Sequence, residues 1–411
     1  MVIKEGYKQT EIGVIPMDWE VKNLLDNFTI KARIGWQGLT TAEYLKTGDY
    51  GLVTGTDFKN GYIDWDNCVY VEKERFIQDK NIQLKIYDVL VTKDGTIGKV
   101  AFVDKVPNPT TLNSGVFVLR PKNENIDNRF FYYLLMSFYF DSFLSKITAG
   151  STITHLYQKD FVNFNFIHPT KAEQIAIANA LSDADGLITG LEKLIAKKRN
   201  IKQGAMQQLL QPKEGWEVKS IKDIVITPVT DGPHETPSFI ENGVPFLSVN
   251  NIVDNKINWT DLRYISKEDD AKFSLKCKPI KNDILLGKAA SVGKIAVVES
   301  DIDFNIWSPL ALIRLKDHYS VKYIFYCFQT EDILKQISFF TNSSSQGNIG
   351  MGDIEKFQFN IPSTLEGQTR IATILSDIDA ELSALEQKLE KYKKIKLGMM
   401  QELLTGKTRL V

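Results

Sequence analysis

The stretch IKQGAMQQLL at 201–210 returns as IKLGMMQELL at 395–404, so the chain must fold into something that uses one segment twice. Self-similarity at a fixed offset constrains architecture more than composition does. At an offset of 194 positions, residues 173–210 lie on 367–404 without a gap, and 17 of the 38 positions are identical. Weaker matches continue outside this segment. WEVK from Trp19 recurs from Trp216, Ile63 and Trp65 answer Ile257 and Trp259, and FNFIHP ending at Pro169 answers FQFNIP ending at Pro362. GKVA from Gly98 corresponds to GKIA from Gly293. Upstream, Asp88, Leu90 and Lys93 keep step with Asp283, Leu285 and Lys288, and downstream Arg120 keeps step with Arg314. The chain therefore reads as a tandem duplication, each half a divergent globular part followed by a well-kept segment.

The well-kept segments predict long helices. Ile177, Leu181, Ala184, Ile188, Leu191 and Ile195 follow one another at alternating steps of four and three residues, as do Ile371, Leu375, Ile378, Leu382, Leu385, Leu389 and, one step on, Tyr392. That rhythm is the seam of a coiled coil. Pro169 and Pro362 precede the segments, and Pro212 and Gly406 follow them, as helix punctuation should. Gly186 inside the first segment costs about 1 kcal/mol against Ala. A helix of about 36 residues is ~54 Å long. Such a helix cannot hide its seam alone, and the other copy is the natural partner.

The globular parts alternate short β-rich runs with turn signals. KNGYIDW, YDVLVTKDGTIGKVAFV and NSGVFVLRP occur in the first; NGVPFLSVNNI, NDILLGKAASVGKIAVV and PLALIRL in the second. Asn60-Gly61, Asp94-Gly95, Asp231-Gly232 and Asn242-Gly243 are tight-turn dipeptides. A helix rich in aromatic residues comes late in each part. The expected fold class is α/β (α+β): two globular domains with mostly antiparallel sheets, joined by two long helices. The expected divisions are an N-terminal segment 1–20 packing near the C-terminal helix, domains at 21–170 and 214–363, and helical segments at 171–213 and 364–411.

Apolar residues make up 43% of the 411 and the net charge is -1, which fits a soluble protein with real cores and names no partner by bulk charge. Cys68, Cys277 and Cys327 are too scattered for a disulfide framework or a metal pair. The start has no apolar core for a secretory signal, and FFYYLLMSFYF is too short to span a bilayer, so a cytoplasmic location is expected. Catalytic signatures are missing. GKAASVGKI has one residue too many for a phosphate loop and ends in Ile where Ser or Thr should stand. The two Gly-Lys pairs sit in strand–turn–strand contexts and read as hairpin turns. His155, His168, His234 and His318 have no ligand spacing. No catalytic residue and no metal ligand is expected.

Taken together, YKQTEIGVIPMDWEV near the start, the duplicated helix, the divergent domains between and the LLTGKTRL tail resemble the specificity subunit of type I restriction–modification systems, over essentially the whole chain. One departure is visible: after Leu210 the chain runs QPKEGWEV, where the second copy has TGKTRL. The resemblance implies that each globular part is a target recognition domain reading one half of a split DNA site. It implies that the two long helices pack as an antiparallel coiled coil related by a pseudo-twofold axis, act as spacer and dock two methyltransferase subunits, with restriction/translocase subunits completing the enzyme. It implies a non-catalytic subunit without cofactor of its own, S-adenosylmethionine, ATP and magnesium belonging to its partners. The duplication alone reaches part of this. Twofold-related readers suit separated half-sites, and diverged readers suit half-sites that differ.

Charge gives the DNA reading no help, with 17 basic against 16 acidic residues in 21–165 and 16 against 18 in 218–360. Phosphate contacts normally dominate affinity, so such domains must concentrate their cations or borrow a partner's. The candidate DNA-binding residues sit in polar loops. KARIGWQGLT carries Lys31, Arg33, Trp36 and Gln37, and TAGSTITH carries Ser151, Thr152 and His155. TNSSSQGNIG carries Ser343, Ser344, Gln346 and Asn348, and TDGPHETP carries His234. Lys59, Lys93, Asn250, Asn251 and Lys288 complete the set. Side chains of these types bond base edges and phosphates. The competing expectation is a coiled-coil adaptor that makes only protein contacts.

Overall fold

The runs VLVT and ILLG have no polar face to show to water, which suits a strand covered on both sides. In the computed structural model, which describes residues 5–35, 38–148, 155–342 and 347–410, they form the strands Val89–Thr92 and Ile284–Gly287. Val89, Leu90 and Val91 are completely buried, and so are Ile284, Leu285 and Leu286. The chain divides into two compact units. One comprises Met1–Leu191 and Lys388–Val411; the other comprises Glu192–Gln387. Both dividing points fall inside a long helix.

In the first unit a six-stranded sheet runs in the order Phe28–Lys31, Val116–Pro121, Val89–Thr92, Val100–Phe102, Tyr62–Ile63, Phe58–Lys59. In the second unit Thr230–Asp231, Leu310–Ile313, Ile284–Gly287 and Ile295–Val297 repeat its first four places. Within these four places each strand runs antiparallel to the next in both units, and in the first unit Val100–Phe102 then pairs parallel with Tyr62–Ile63. A three-stranded sheet accompanies each. Tyr50–Val53 lies between Thr110–Leu112 and Val69–Val71, and Val244–Leu247 lies between Asn305–Ile306 and Arg263–Ile265. Val89 and Val91 face the aromatic helix Asn128–Leu135, whereas Leu90 faces a second cluster with Val53 and Leu112 from the smaller sheet. The period of two along the strand thus feeds two cores, and Ile284, Leu285 and Leu286 divide in the same way. The mixed α/β parts expected from the sequence are present in both units.

The Gly-Lys pairs are hairpin turns. Gly98 donates to the Thr92 carbonyl and Gly293 to that of Gly287, each at 2.9 Å and each with positive φ. The WEVK strands pair antiparallel with the strands that close each domain, Glu20–Asn23 with Asn165–His168 and Trp216–Ser220 with Gln358–Pro362. Each domain's entry and exit therefore lie together, next to the start of its helix.

The helices are Lys171–Leu209 and Leu365–Leu403, 39 residues each. Each belongs to both units. The first unit's core takes Ile177, Ala178 and Leu181 from the start of one helix, with Met400, Leu403 and Leu404 from the end of the other. The second takes Ile371, Ala372 and Leu375, with Leu210 and the partly buried Met206 and Leu209. Burying a Leu of this kind stabilises by about 1.5–3 kcal/mol. This packing explains why the start and the end of the repeated segment are both well kept. Along the seam Ile177, Leu181, Ile195, Ile371, Leu375 and Leu382 are buried, while Ile188, Leu191, Leu385 and Leu389 are half-buried.

In each unit the two helical segments run antiparallel and are pinned by the same three side chains. Tyr133 Oη donates to Asp185 Oδ2 at 2.8 Å, and Lys396 Nζ lies 2.6 Å from Asp185 Oδ1. In the second unit Tyr326 Oη donates to Asp379 Oδ2 at 2.8 Å, and Lys202 Nζ lies 2.7 Å from Asp379 Oδ1. Each lysine also sits over its tyrosine ring, at 5.5 and 5.7 Å from the centroid. Arg409, in the tail that only the second copy carries, pairs with Glu173 and Asp18, and Trp19 Nε1 donates to Glu173 Oε2 at 2.9 Å. Tyr7 Oη donates to the Gly406 carbonyl at 2.8 Å, so the N-terminal hairpin is fastened to that same tail.

Candidate nucleic-acid interface

Loops tied to the last residue of a rigid central strand are well placed to hold a ligand. In the first unit Lys93 follows that strand. Its carbonyl accepts from Leu156 N at 2.7 Å, its own N–H donates to the Gly115 carbonyl at 2.8 Å, and Asp94 bridges to His155. In the second unit Lys288 occupies the same place. Its carbonyl accepts from Ile349 N at 2.9 Å and its N–H donates to the Pro309 carbonyl at 2.9 Å. The loop after the edge strand joins each cluster. Arg33 reaches the Leu112 carbonyl, and Ser308 N donates to the Pro233 carbonyl at 3.2 Å. One end of each larger sheet thus gathers three loops from distant parts of the sequence.

The side chains brought there differ between the units. Arg33 is a correction to its placement among the DNA-binding candidates. It is 1% exposed, and its guanidinium donates to the Leu112 and Arg75 carbonyls, Thr111 Oγ1 and Gln78 Oε1. It is a pillar under the loop, its donors spent inside the fold. Asn251 is corrected in the same way: it is buried, caps a turn by accepting from Ser248 N at 2.9 Å, and donates to the Asp261 carbonyl. Lys59 is exposed and paired with Asp64 at the sheet edge opposite Phe28–Lys31, away from the loops. Lys31 and Asn250 are exposed, and Asn348 is half-exposed beside Ile349. Lys93 is half-buried, its Nζ 5.5 Å from the Phe117 ring centroid, and His155 pairs with Asp94. Trp36, Gln37, Ser151, Thr152, Ser343, Ser344 and Gln346 lie outside the described residues.

In the second unit the cluster centres on Asp231, whose side chain is completely buried. Lys276 Nζ approaches Asp231 Oδ1 at 2.5 Å, while Lys288 Nζ and His234 Nε2 lie 3.0 and 3.1 Å from Oδ2. Burial pushes this carboxyl up, but hydrogen bonds and charge from the two lysines outweigh it and hold it below the ordinary carboxylate value. His234 and Lys288 were legible as candidates; Asp231 and Lys276 were not. Asp231 reads as half of a turn dipeptide, and Lys276 stands in SLKCKP, which carries no signal. Burial pushes the thiols of Cys68, Cys277 and Cys327 up to about 12, so they stay protonated at neutral pH. Among the described residues no group of His, Cys, Asp and Glu could hold a metal ion, and no helix is long and apolar enough to cross a membrane.

The chain is similar to known proteins along nearly its whole length. It is 26% identical over 438 residues to the type I restriction enzyme MjaVIII specificity subunit of Methanocaldococcus jannaschii, covering 99% of this chain and 97% of the relative. It is 25% identical over 264 residues to the EcoBI specificity subunit of Escherichia coli, covering 57% of this chain and 54% of the relative. The fold is similar to the S subunit of a type I restriction–modification system from M. genitalium, with a TM-score of 0.63, 15% identity and 98% of both chains covered. The family model described as the type I restriction modification DNA specificity domain matches twice, at residues 16–203 and 213–396, so this chain belongs to that family.

Proposed function

We propose that this chain is the DNA-specificity subunit of a type I restriction–modification complex, each recognition domain reading one half of an asymmetric, interrupted site. The observation that carries the reading is a contrast within the duplication. Both units hold their helices with the same residues and gather loops at the same end of the sheet, yet the side chains gathered there are different. Two scaffolds alike and two tips unlike suit two different half-sites at a set spacing. Relatives named as specificity subunits match over almost their full length, which supports the same reading.

In this reading the long helices set the gap between half-sites and dock two methyltransferase subunits, and restriction/translocase subunits join them. The chain itself contributes recognition and no catalysis. S-adenosylmethionine, ATP and magnesium act in the partners, and the complex works in the cytoplasm. With a net charge of -1, the chain relies on partner cations for much of its grip on phosphate, so alone it binds duplex DNA weakly. The test is to express it with its methyltransferase partner in a host lacking DNA methylation and to sequence the methylated bases. A single two-part motif with a fixed gap, seen only when both proteins are present, is the expected result. A stable complex that methylates no recurring motif would overturn the reading and favour an adaptor making protein contacts alone.

A further inference from the structure

One buried carboxylate needs one counter-charge. Asp231 has two lysines and a histidine within 3.1 Å. Lys288, with a side chain only 12% exposed, is enough to neutralise it. Lys276 is the surplus: its side chain is 47% exposed, and it also donates to the Gly232 carbonyl at 3.2 Å. An ammonium has three donors; Asp231 and Gly232 engage two, and among the described residues no partner is recorded for the third. The neighbouring acid, Glu235, is taken by Lys272 at 2.5 Å. At the carboxylate itself Lys276 and Lys288 against Asp231 leave one positive charge in excess, while Lys272 faces Glu235 and Asp269. That excess is local, since residues 218–360 carry 16 basic and 18 acidic side chains.

The surroundings are also fixed in place. Gly232 lies so close to the Ile306 carbonyl that a Cβ there would sit 1.9 Å from its oxygen. The next residue's carbonyl accepts from Ser308 N at 3.2 Å. The loop presenting the surplus charge is therefore held by backbone and strand, and an anion arriving there would not have to order it.

We propose that the Lys276–Asp231 cluster is a DNA backbone phosphate site in the second recognition domain, with Lys276 the contacting group and Asp231 the group that holds it. The proposal rests on the reading of this chain as a DNA-specificity subunit. A lone lysine is a point charge without the fixed fork that reads a base edge, so its contact adds affinity and register and little sequence preference. The pairing of Asp231 with Lys276 belongs to the second unit. Register places Lys31 opposite Val118 and Thr230 opposite Leu312, and the residue after each is Ala32 in the first unit and Asp231 in the second. Of the first unit's described cations near that place, Arg33 is spent on carbonyls within the fold, Lys93 lies over the Phe117 ring and Lys31 is exposed.

The experiment uses the complex with its methyltransferase subunits and a fluorescent duplex carrying the site mapped by methylation sequencing. Affinity is measured across a range of salt concentrations for wild type, Lys276→Met and Lys276→Arg. The methionine variant is expected to bind about ten-fold more weakly at low salt. Its slope of log affinity against log salt should be shallower by roughly 0.9, the value for one phosphate contact. The arginine variant should keep the wild-type slope, and all three should methylate the same sequence. An unchanged slope in Lys276→Met, with wild-type preference for the mapped duplex intact, overturns the phosphate site alone. A changed half-site in that variant overturns it too, since Lys276 would then be reading a base. A wild-type complex with no preference for the mapped duplex over a scrambled one refutes the underlying reading instead.

Discussion

The two units keep what faces inward and change what gathers at the sheet end. Arg120 grips Asp88 with two nitrogens at 2.7 and 2.6 Å, and Arg314 grips Asp283 at 2.8 and 2.7 Å. Gln174 accepts from Asp127 N at 2.9 Å and Gln368 from Ser320 N at 2.8 Å, in both cases the residue capping the aromatic helix. The Tyr–Asp–Lys clamp is repeated atom for atom. At the loop ends the first unit has a buried arginine bonded to carbonyls, and the second has a buried aspartate ringed by cations. A duplicated scaffold drifts least where one side chain must satisfy several partners at once. It drifts most where the partner lies outside the chain.

The comparison can be broken hardest at the helix starts. Leu181 and Leu375 are completely buried in the two cores. Leu181→Asp and Leu375→Asp should each cost about 3–5 kcal/mol, the scale of an uncompensated buried charge, and remove folded protein in a thermal melt. Leu191→Asp and Leu385→Asp, at half-buried seam positions, should cost clearly less. Equal loss from both pairs would show that the seam, and not the domain core, carries the stability.

The shared arginine pairs come next. Asp88→Asn and Asp283→Asn should each lose about 2–4 kcal/mol, because a fork-held guanidinium is left without its carboxylate. A large difference between the two in denaturant unfolding would mean that the repeat is geometric only.

The clamps allow a sharper test. Inserting four residues after Lys197 alone lengthens one helix by ~6 Å without lengthening its partner. Matched insertions after Lys197 and Lys391 fall between Asp185 and Lys202 on one helix and between Asp379 and Lys396 on the other, so both clamps survive. Four residues nearly complete a turn, and ~6 Å is between one and two base pairs. The matched insertion should preserve activity and widen the methylated gap by one or two pairs, while the single insertion should lose about 1 kcal/mol of clamp energy and methylate poorly. An unchanged gap in the matched variant would assign the spacing to the methyltransferase subunits.

The smallest effect lies at the hairpin tips. Gly95 has φ +70, and its counterpart in the second unit is Ala290 at φ +62. An L-residue in that region is strained by roughly 1–2 kcal/mol, so Ala290→Gly should stabilise the second unit by about 0.5–1 kcal/mol in a melt. A loss would show that the Ala290 methyl makes a contact worth more than the strain.

Much of this is legible in the sequence. The offset of 194 residues marked the helices, their partner and even the clamp lysines, Lys202 and Lys396, as equivalent positions. Asp88 with Arg120 and Asp283 with Arg314 were visible as residues in step, though not as bonded pairs, because spacing along a chain does not reveal which strands become neighbours. The shared ownership of each helix by two cores was hidden for the same reason. Roles within the candidate segments depend on burial. Arg33 and Asn251 look like free donors in sequence and are consumed internally. Lys276 looks like any surface lysine and is delivered to the loop end only by the turn after Lys267–Ser274.

The central claim is that two independent readers sit on one repeated scaffold, and domain exchange tests it most directly. Residues 21–170 are replaced by the corresponding part of a relative with a different methylated motif, and the methylated sites of cells carrying the hybrid complex are sequenced. The account predicts that one half of the motif changes to the relative's, while the other half and the gap stay as they were. A hybrid that folds and methylates, but at a motif altered in both halves, would contradict it.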